Sequence, residues 1–201
     1  MKASFMTRHP FLKDAISVSI FVLLVTIGAI TINTFVFRSF SVVGPSMETT
    51  LFTGDRLIVN RLPVTLASIK NTSYIPQRGE VIVFKNPRFH SGIGDEYIVK
   101  RVIALPGERV VLKNGEFTVY NGENPDGLNP DEILKEKNGI IYPTSGSVDI
   151  IVPKNELFVS GDHRQETYSL DSRNGLGTIP IYDIVGPVSI RIYPFNKIRL
   201  F

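Results

Sequence analysis

The stretch Arg109-Val110-Val111-Leu112-Lys113-Asn114-Gly115-Glu116-Phe117-Thr118-Val119-Tyr120 holds two alternating apolar runs separated by Asn-Gly. Both turn residues tolerate the positive φ that a type I′ turn demands, so the pattern predicts a hairpin pairing Arg109–Leu112 with Glu116–Tyr120. Outward from it the same kind of segment recurs. Val36–Val43, Arg56–Asn60, Glu80–Lys85, Tyr97–Ala104, Val148–Val152, Glu156–Ser160 and Ile184–Ile192 all read as strands. Thr53-Gly54-Asp55, Arg78-Gly79, Pro106-Gly107 and Ser160-Gly161-Asp162 punctuate them as turns. The fold class is mainly β, built from antiparallel sheets.

Two segments depart from that rhythm. Residues 121–142 are polar, with Asn-Pro at 124–125 and 129–130, and read as a small insertion on the β scaffold. Within it Asp131–Glu136 is a short helical stretch, its acids at the start and Lys135 and Lys137 near the end suiting the helix dipole. Leu62–Tyr74 reads as a loop or short helix.

The amino-terminal region obeys a different period. No residue from Ala15 to Phe37 is charged, and about 23 residues at ~1.5 Å each reach roughly 34 Å, enough to cross ~30 Å of hydrocarbon. A cleavable signal has a shorter apolar core followed by small residues, whereas Phe35-Val36-Phe37-Arg38 is bulky. The run therefore reads as a retained transmembrane anchor. Lys2, Arg8 and Lys13 precede it and Arg38 alone follows closely, which puts residues 1–14 in the cytoplasm and 38–201 outside as one domain. Asn33 and the hydroxyl residues of the span could engage a helix partner.

Composition narrows the chemistry. A net charge of +3 on 201 residues, with the cations dispersed, gives no phosphate-tracking surface, so nucleic acid is not expected as a partner. Without cysteine, disulfides, thiolate metal sites and cysteine nucleophiles are excluded. Of three histidines, His9 precedes the span, and His90 and His163 lack the close helical spacing of a metal site. No metal or cofactor is expected. A Ser-His-Asp triad would have to use His163, in the turn Gly161-Asp162-His163-Arg164.

Two residues suggest a different hydrolytic pair. Ser46 follows Gly44-Pro45, an irregular backbone that can present a hydroxyl and its own N–H, although serine after Gly-Pro is also ordinary turn chemistry. Lys100 sits among Ile98, Val99, Val102 and Ile103, and in a period-two strand it shares a face with Ile98 and Val102 while Arg101 points away. A lysine works as a general base only when neutral, and apolar burial lowers its pKa from ~10.4 towards the 7 to 8 that catalysis wants. At a sheet edge the same lysine would extend its ammonium into water.

The ordered segments resemble the type I signal peptidases, membrane-anchored serine-lysine endopeptidases, in their single-anchor, Gram-positive-like branch. After the anchor, Gly44–Leu51 resembles the nucleophile box, Gly54–Asn60 the strand that follows it, Tyr97–Glu108 the box bearing the base, and Ser160-Gly161-Asp162 with Ser169–Arg173 and Gly177 the last box. The resemblance implies Ser46 as nucleophile and Lys100 as general base. It implies that Ser169 hydrogen-bonds the lysine amine, that Asp171 and Arg173 hold that loop by an ion pair that also draws in Arg101, and that Met47 packs near the pocket. The oxyanion would take the Ser46 N–H. The partners it implies are preprotein signal peptides with small residues before the cut, membrane lipid at the plasma membrane, and the translocation machinery as one further partner to consider.

The pattern is departed from at three places. Thr49 replaces a usual proline, Gly44 offers no side-chain donor, and His163 stands where asparagine is common, before a longer loop to Ser169 that leaves Ser172 as a rival. Two other readings share the residues: a self-cleaving serine-lysine protein, and an inactive tethered β module that binds exported chains. Phe52, Ile93 and Tyr193-Pro194-Phe195 are apolar residues that would touch the bilayer if exposed.

Overall fold

In a computed structural model, residues 10–89, 96–132 and 143–201 are described. Helix α1, Pro10–Phe35, is followed after one residue by strand β1, Phe37–Ser41. The helix starts earlier than the uncharged run because Lys13 and Asp14 stay in helical register as an exposed first turn, and it stops short of Phe37, which the first strand takes. Phe11–Phe35 is long and apolar enough to cross a membrane, and no residue of its most apolar stretch is buried in the fold. Ser17, Ser19, Thr26 and Thr31 each donate to the carbonyl four residues back at 2.8 to 2.9 Å, so these hydroxyls are satisfied within their own helix.

The remaining strands are β2 Arg56–Asn60, β3 Val81–Lys85, β4 Tyr97–Ala104, β5 Arg109–Lys113, β6 Glu116–Tyr120, β7 Val148–Ile151, β8 Glu156–Ser160, β9 Ile179–Pro180, β10 Ile184–Tyr193 and β11 Arg199–Leu200, with helix α2 at Leu62–Ile69. All pair antiparallel. The large sheet runs β1-β2-β10-β3-β4-β8-β9, with β11 on β10, and a three-stranded sheet runs β6-β5-β7. The hairpin forms in the expected register, Val110 opposite Val119 and Leu112 opposite Phe117, with Asn114 at φ 54° and Gly115 at φ 82°. β9 and β11, two residues each, are too short to leave a periodic trace in the sequence.

Strand β10 holds the large sheet together by pairing with β3 through Ile184–Pro187 and with β2 through Val188–Tyr193. The crossover needs a glycine. A Cβ on Gly186 would overlap the Asn60 carbonyl, so only an absent side chain lets the two strands approach there. Ile82, Phe84, Ile98, Val102 and Val159 pack on one face of the sheet, and Val81, Val83, Leu57, Met47 and Leu51 on the other. A third core, with Val110, Leu112, Phe117 and Phe158, lies under the three-stranded sheet.

Residues 121–132 of the polar insertion form turns, tied back where Val119 and Leu128 exchange backbone hydrogen bonds. The expected helix over Asp131–Glu136 falls mostly outside the described residues. Asp131 itself is no solvent-facing dipole partner: it is fully buried, and its carboxylate takes both terminal nitrogens of Arg164 at 2.6 and 2.7 Å. Ile93 likewise lies outside the described residues.

Candidate active site

The turn after β1 is pinned from below. Gly44 adopts φ 85°; then Glu48 N–H donates to the Pro45 carbonyl at 3.0 Å and Leu51 N–H to the Met47 carbonyl at 2.8 Å. Met47 and Leu51 are fully buried beside Val42 and Leu57. Met47 thus anchors the turn from within the core, while the Ser46 hydroxyl is left at the rim. Among the described residues, no hydrogen bond uses the Ser46 N–H.

Lys100 approaches from the middle of β4. Its neighbour across the sheet is Ile82, whereas Arg101 lies opposite Val81 on the other face, as the period of two requires. Lys100 is 3% exposed. Its Nζ donates to Ser46 Oγ at 2.8 Å and to the Val99 carbonyl at 2.9 Å. β8 pairs with β4 only from Arg101 to Ala104, so among the described residues the edge Tyr97–Lys100 away from β3 has no strand partner. Between that edge and Val42–Ser46 lies a groove of about 370 Å³, with Val83 and Leu57 in its lining and Tyr168 and Leu170 bordering it.

The loop after β8 closes the far side. Gly161 is wedged between Ser169 and Ser46: a Cβ there would overlap both Ser169 Oγ and the Ser46 carbonyl. Its N–H donates to Asp171 at 2.9 Å. Arg173 holds the same carboxylate, Nη2 to Oδ2 at 2.7 Å and Nε to Oδ1 at 3.1 Å, and extends its other arm to the Arg164 and Ser145 carbonyls. Burial pushes the Asp171 carboxyl up, and the Arg173 hydrogen bonds and charge, with the Gly161 N–H and the adjacent Ser169, together outweigh it, holding the group below the usual carboxylate range.

Ser169 is fully buried beside this pair, but its Oγ makes no hydrogen bond of ordinary geometry. The expected bond to the lysine amine is not made, because the side chain lies against Gly161 and next to Asp171. Ser172, the rival, is occupied elsewhere: its Oγ accepts the Val159 N–H at 2.9 Å.

The family described as "Signal peptidase, peptidase S26" matches residues 14–193. The chain belongs to the signal peptidase family. Among its relatives, "Signal peptidase I P" of Bacillus subtilis subsp. natto is 33% identical over 183 residues, 89% of each chain. "Signal peptidase IB" of Staphylococcus aureus is 32% identical over 202 residues, covering 96% of this chain and 94% of that one. "Signal peptidase I S" of Bacillus subtilis strain 168 is 32% identical over 182 residues, 89% of each.

Besides Ser169, one more expected partner in this family member is different, and one residue was not expected in the site. Arg101 does not join Asp171; it grips Asp162, Nε to Oδ1 at 2.8 Å and Nη2 to Oδ2 at 2.5 Å. Being on the opposite face from Lys100, it faces the Thr50 turn, and Thr50 Oγ1 donates to the same carboxylate at 2.5 Å. Asp162 is buried, which pushes its carboxyl up, but Arg101, Arg164 and the Thr50 bond together hold it below the usual carboxylate range; the residue thereby ties β4, the serine turn and the last loop together. The signal was there to find: an acid in a Ser-Gly-Asp turn and a cation inside an apolar strand each need a buried partner.

His163 is not placed as a triad base. Its backbone N–H donates to the Ser46 carbonyl at 3.2 Å; its ring Nδ1 lies 3.2 Å from the Pro45 carbonyl, which can only accept, so that contact uses the Nδ1–H; and the ring stacks on Tyr168 at 4.6 Å. The residue braces the backbone of the serine turn.

Proposed function

We propose that this chain removes signal peptides from exported preproteins as a membrane-anchored serine endopeptidase, with Ser46 as nucleophile and Lys100 as general base. The observation that carries the reading is the 2.8 Å contact between Ser46 Oγ and a buried Lys100 Nζ at the end of an open groove. The family membership, with relatives named signal peptidase I, gives the reaction class.

With Lys100 neutral, the same contact runs in reverse: Ser46 Oγ–H donates to the amine lone pair, and one amine N–H stays on the Val99 carbonyl. As Oγ attacks the scissile carbonyl carbon, its proton passes to Nζ and the carbonyl oxygen becomes an oxyanion beside the free Ser46 N–H. Collapse breaks the C–N bond, Nζ returns the proton to the departing amine, and an ester to Ser46 remains. Water then loses a proton to Nζ and attacks the ester carbonyl; as the C–O bond to Ser46 breaks, Nζ returns that proton to Ser46 Oγ, and the signal peptide leaves as a carboxylic acid.

An extended substrate would add to the unpartnered edge of β4 at Tyr97–Lys100, main chain to main chain. The groove's lining, with Val42, Leu57, Val83 and Val99 beside Ser46 and Lys100, suits small apolar residues before the cut, as in Ala-x-Ala sites. Asp171 and Arg173 position the loop that carries Gly161 and Ser169, Arg101 positions the serine turn through Asp162, and Met47 seats that turn in the core. In this reading α1 is the anchor, the cations before it keep the amino terminus in the cytoplasm, and Ser46 lies at most ~28 Å of extended chain beyond Arg38. The site therefore works close to the bilayer.

The test is cleavage of a preprotein carrying an Ala-x-Ala site by the detergent-solubilised chain and by Ser46→Ala. Cleavage by the parent alone supports the reading. Cleavage by both overturns Ser46 as nucleophile, and cleavage by neither, with both folded, favours a tethered binding module.

A further inference from the structure

Helix α2 is bonded to the end of α1. The Arg61 N–H donates to the Val36 carbonyl at 2.8 Å, and Thr65 Oγ1 to the Phe35 carbonyl at 2.8 Å. Its inward face is committed, since Val64 packs on the Ile82 and Phe84 core. The outward face is the anomaly. Leu62, Leu66 and Ile69, spaced four and three residues apart, form one row that is 39%, 52% and 72% exposed.

A helix facing water turns charged residues outward along such a row. Here no residue from Leu62 to Ile69 is charged, and the cations stand at the two ends, Arg61 before and Lys70 after. Arg61 also has Arg38 as a near neighbour. Burial and the like charge of Arg38 weaken its hold on a proton, and Arg61 Nε is buried without a hydrogen-bond partner among the described residues. An apolar row with cations at its margins, joined directly to a membrane-length helix, has the chemistry of a bilayer boundary.

We infer that α2 is an interfacial helix whose Leu62-Leu66-Ile69 row enters the headgroup and acyl boundary of the bilayer that α1 crosses, with Arg61 and Lys70 at its two ends facing anionic headgroups. The inference rests on α1 being a membrane anchor. Its consequence is mechanical: a single span leaves the ectodomain free to turn about the membrane normal and tilt, and a second contact beside it fixes the attitude of the groove to the membrane surface.

The chain contains no tryptophan, so one introduced indole reports on its own surroundings. Single variants Phe21→Trp in the span, Ile69→Trp in α2 and Ile151→Trp, a 68% exposed residue of β7, are made in the full chain. They are reconstituted in phosphatidylcholine vesicles with or without phosphatidylglycerol, and quenched by lipids brominated along the acyl chain. The expected result is blue-shifted emission for Ile69→Trp, with quenching within about twofold of Phe21→Trp by the shallowest bromines and weak quenching by the deepest. Phosphatidylglycerol should strengthen it, less so with Arg61→Gln and Lys70→Gln added. Quenching of Phe21→Trp with Ile69→Trp as red and unquenched as Ile151→Trp would overturn the inference and leave the anchor standing, turning α2 towards water or a protein. Escape of Phe21→Trp itself would overturn the anchor and the inference with it.

Discussion

Lys100 and Arg101 are consecutive residues of β4 whose cations leave opposite faces of the sheet, Lys100 Nζ to Ser46 Oγ at 2.8 Å and Arg101 to both oxygens of Asp162. The strand period separates them, and the two contacts converge again on one turn: Ser46 begins it and Thr50, bonded to Asp162, ends it. The serine is therefore held from both faces of the strand that carries the lysine. Misplacement by as little as an ångström at such a site costs about a hundredfold in rate.

The Gly161 wedge makes the first prediction. Gly161→Ala would press a methyl into Ser169 and the Ser46 carbonyl, both backed by buried structure. The expected outcome is loss of about tenfold to a hundredfold in kcat together with a destabilisation of roughly 1–3 kcal/mol from overpacking, read by steady-state cleavage and calorimetry. Unchanged kcat would mean that the Ser46 backbone tolerates displacement.

Asp162 and Asp171 set the acid limit of stability. Both carboxyls are held below the ordinary aspartate value, because their hydrogen bonds and arginine partners outweigh the upward push of burial, so the folded state binds protons less readily than the unfolded one. Their stabilisation is fully present above about pH 4 and is lost as the pH falls through the folded values. Unfolding midpoints in denaturant should fall steeply below about pH 4, and more gently in Asp162→Asn. At neutral pH that variant leaves Arg101 buried without its carboxylate, a loss on the order of 3 to 5 kcal/mol. An acid limb of equal steepness in the variant would place the responsible carboxyls elsewhere.

His163 should prove a brace. Asparagine carries an N–H at nearly the position of Nδ1, so His163→Asn should keep the bond to the Pro45 carbonyl and stay within about threefold in kcat/KM, while His163→Ala falls about tenfold. Loss of about a thousandfold or more in both variants would reinstate a histidine triad.

The parts of this chain that sequence made legible are those with a period or a special turn. The Asn114-Gly115 hairpin, the apolar run of α1 and the alternation around Lys100 each impose a local geometry that survives tertiary packing. Pairings between distant residues left no local trace. Arg101 was expected beside Asp171 and took Asp162, because choice of partner depends on which strand face meets which loop. Asp131, whose sequence setting suggests a helix-start acid, is instead the fully buried counterion of Arg164. The Ser169 hydroxyl, expected on the lysine amine, lies against Gly161, a matter of side-chain direction that spacing does not carry. Helix α2 was ambiguous because its exposed row is apolar, so the contrast between inner and outer faces that marks a surface helix is absent.

The central claim is that a buried lysine amine takes the proton of Ser46, and its most direct test is preprotein cleavage by Lys100→Met across pH 6 to 10. Methionine fills nearly the same volume without a basic nitrogen, so the fold should hold, as checked by circular dichroism and thermal melting. For the parent chain the account predicts a kcat/KM limb that rises with pH as Lys100 loses its proton. For Lys100→Met it predicts a loss of about a thousandfold or more at every pH. A folded Lys100→Met protein that cleaves at the parent rate, with the same limb, would contradict it.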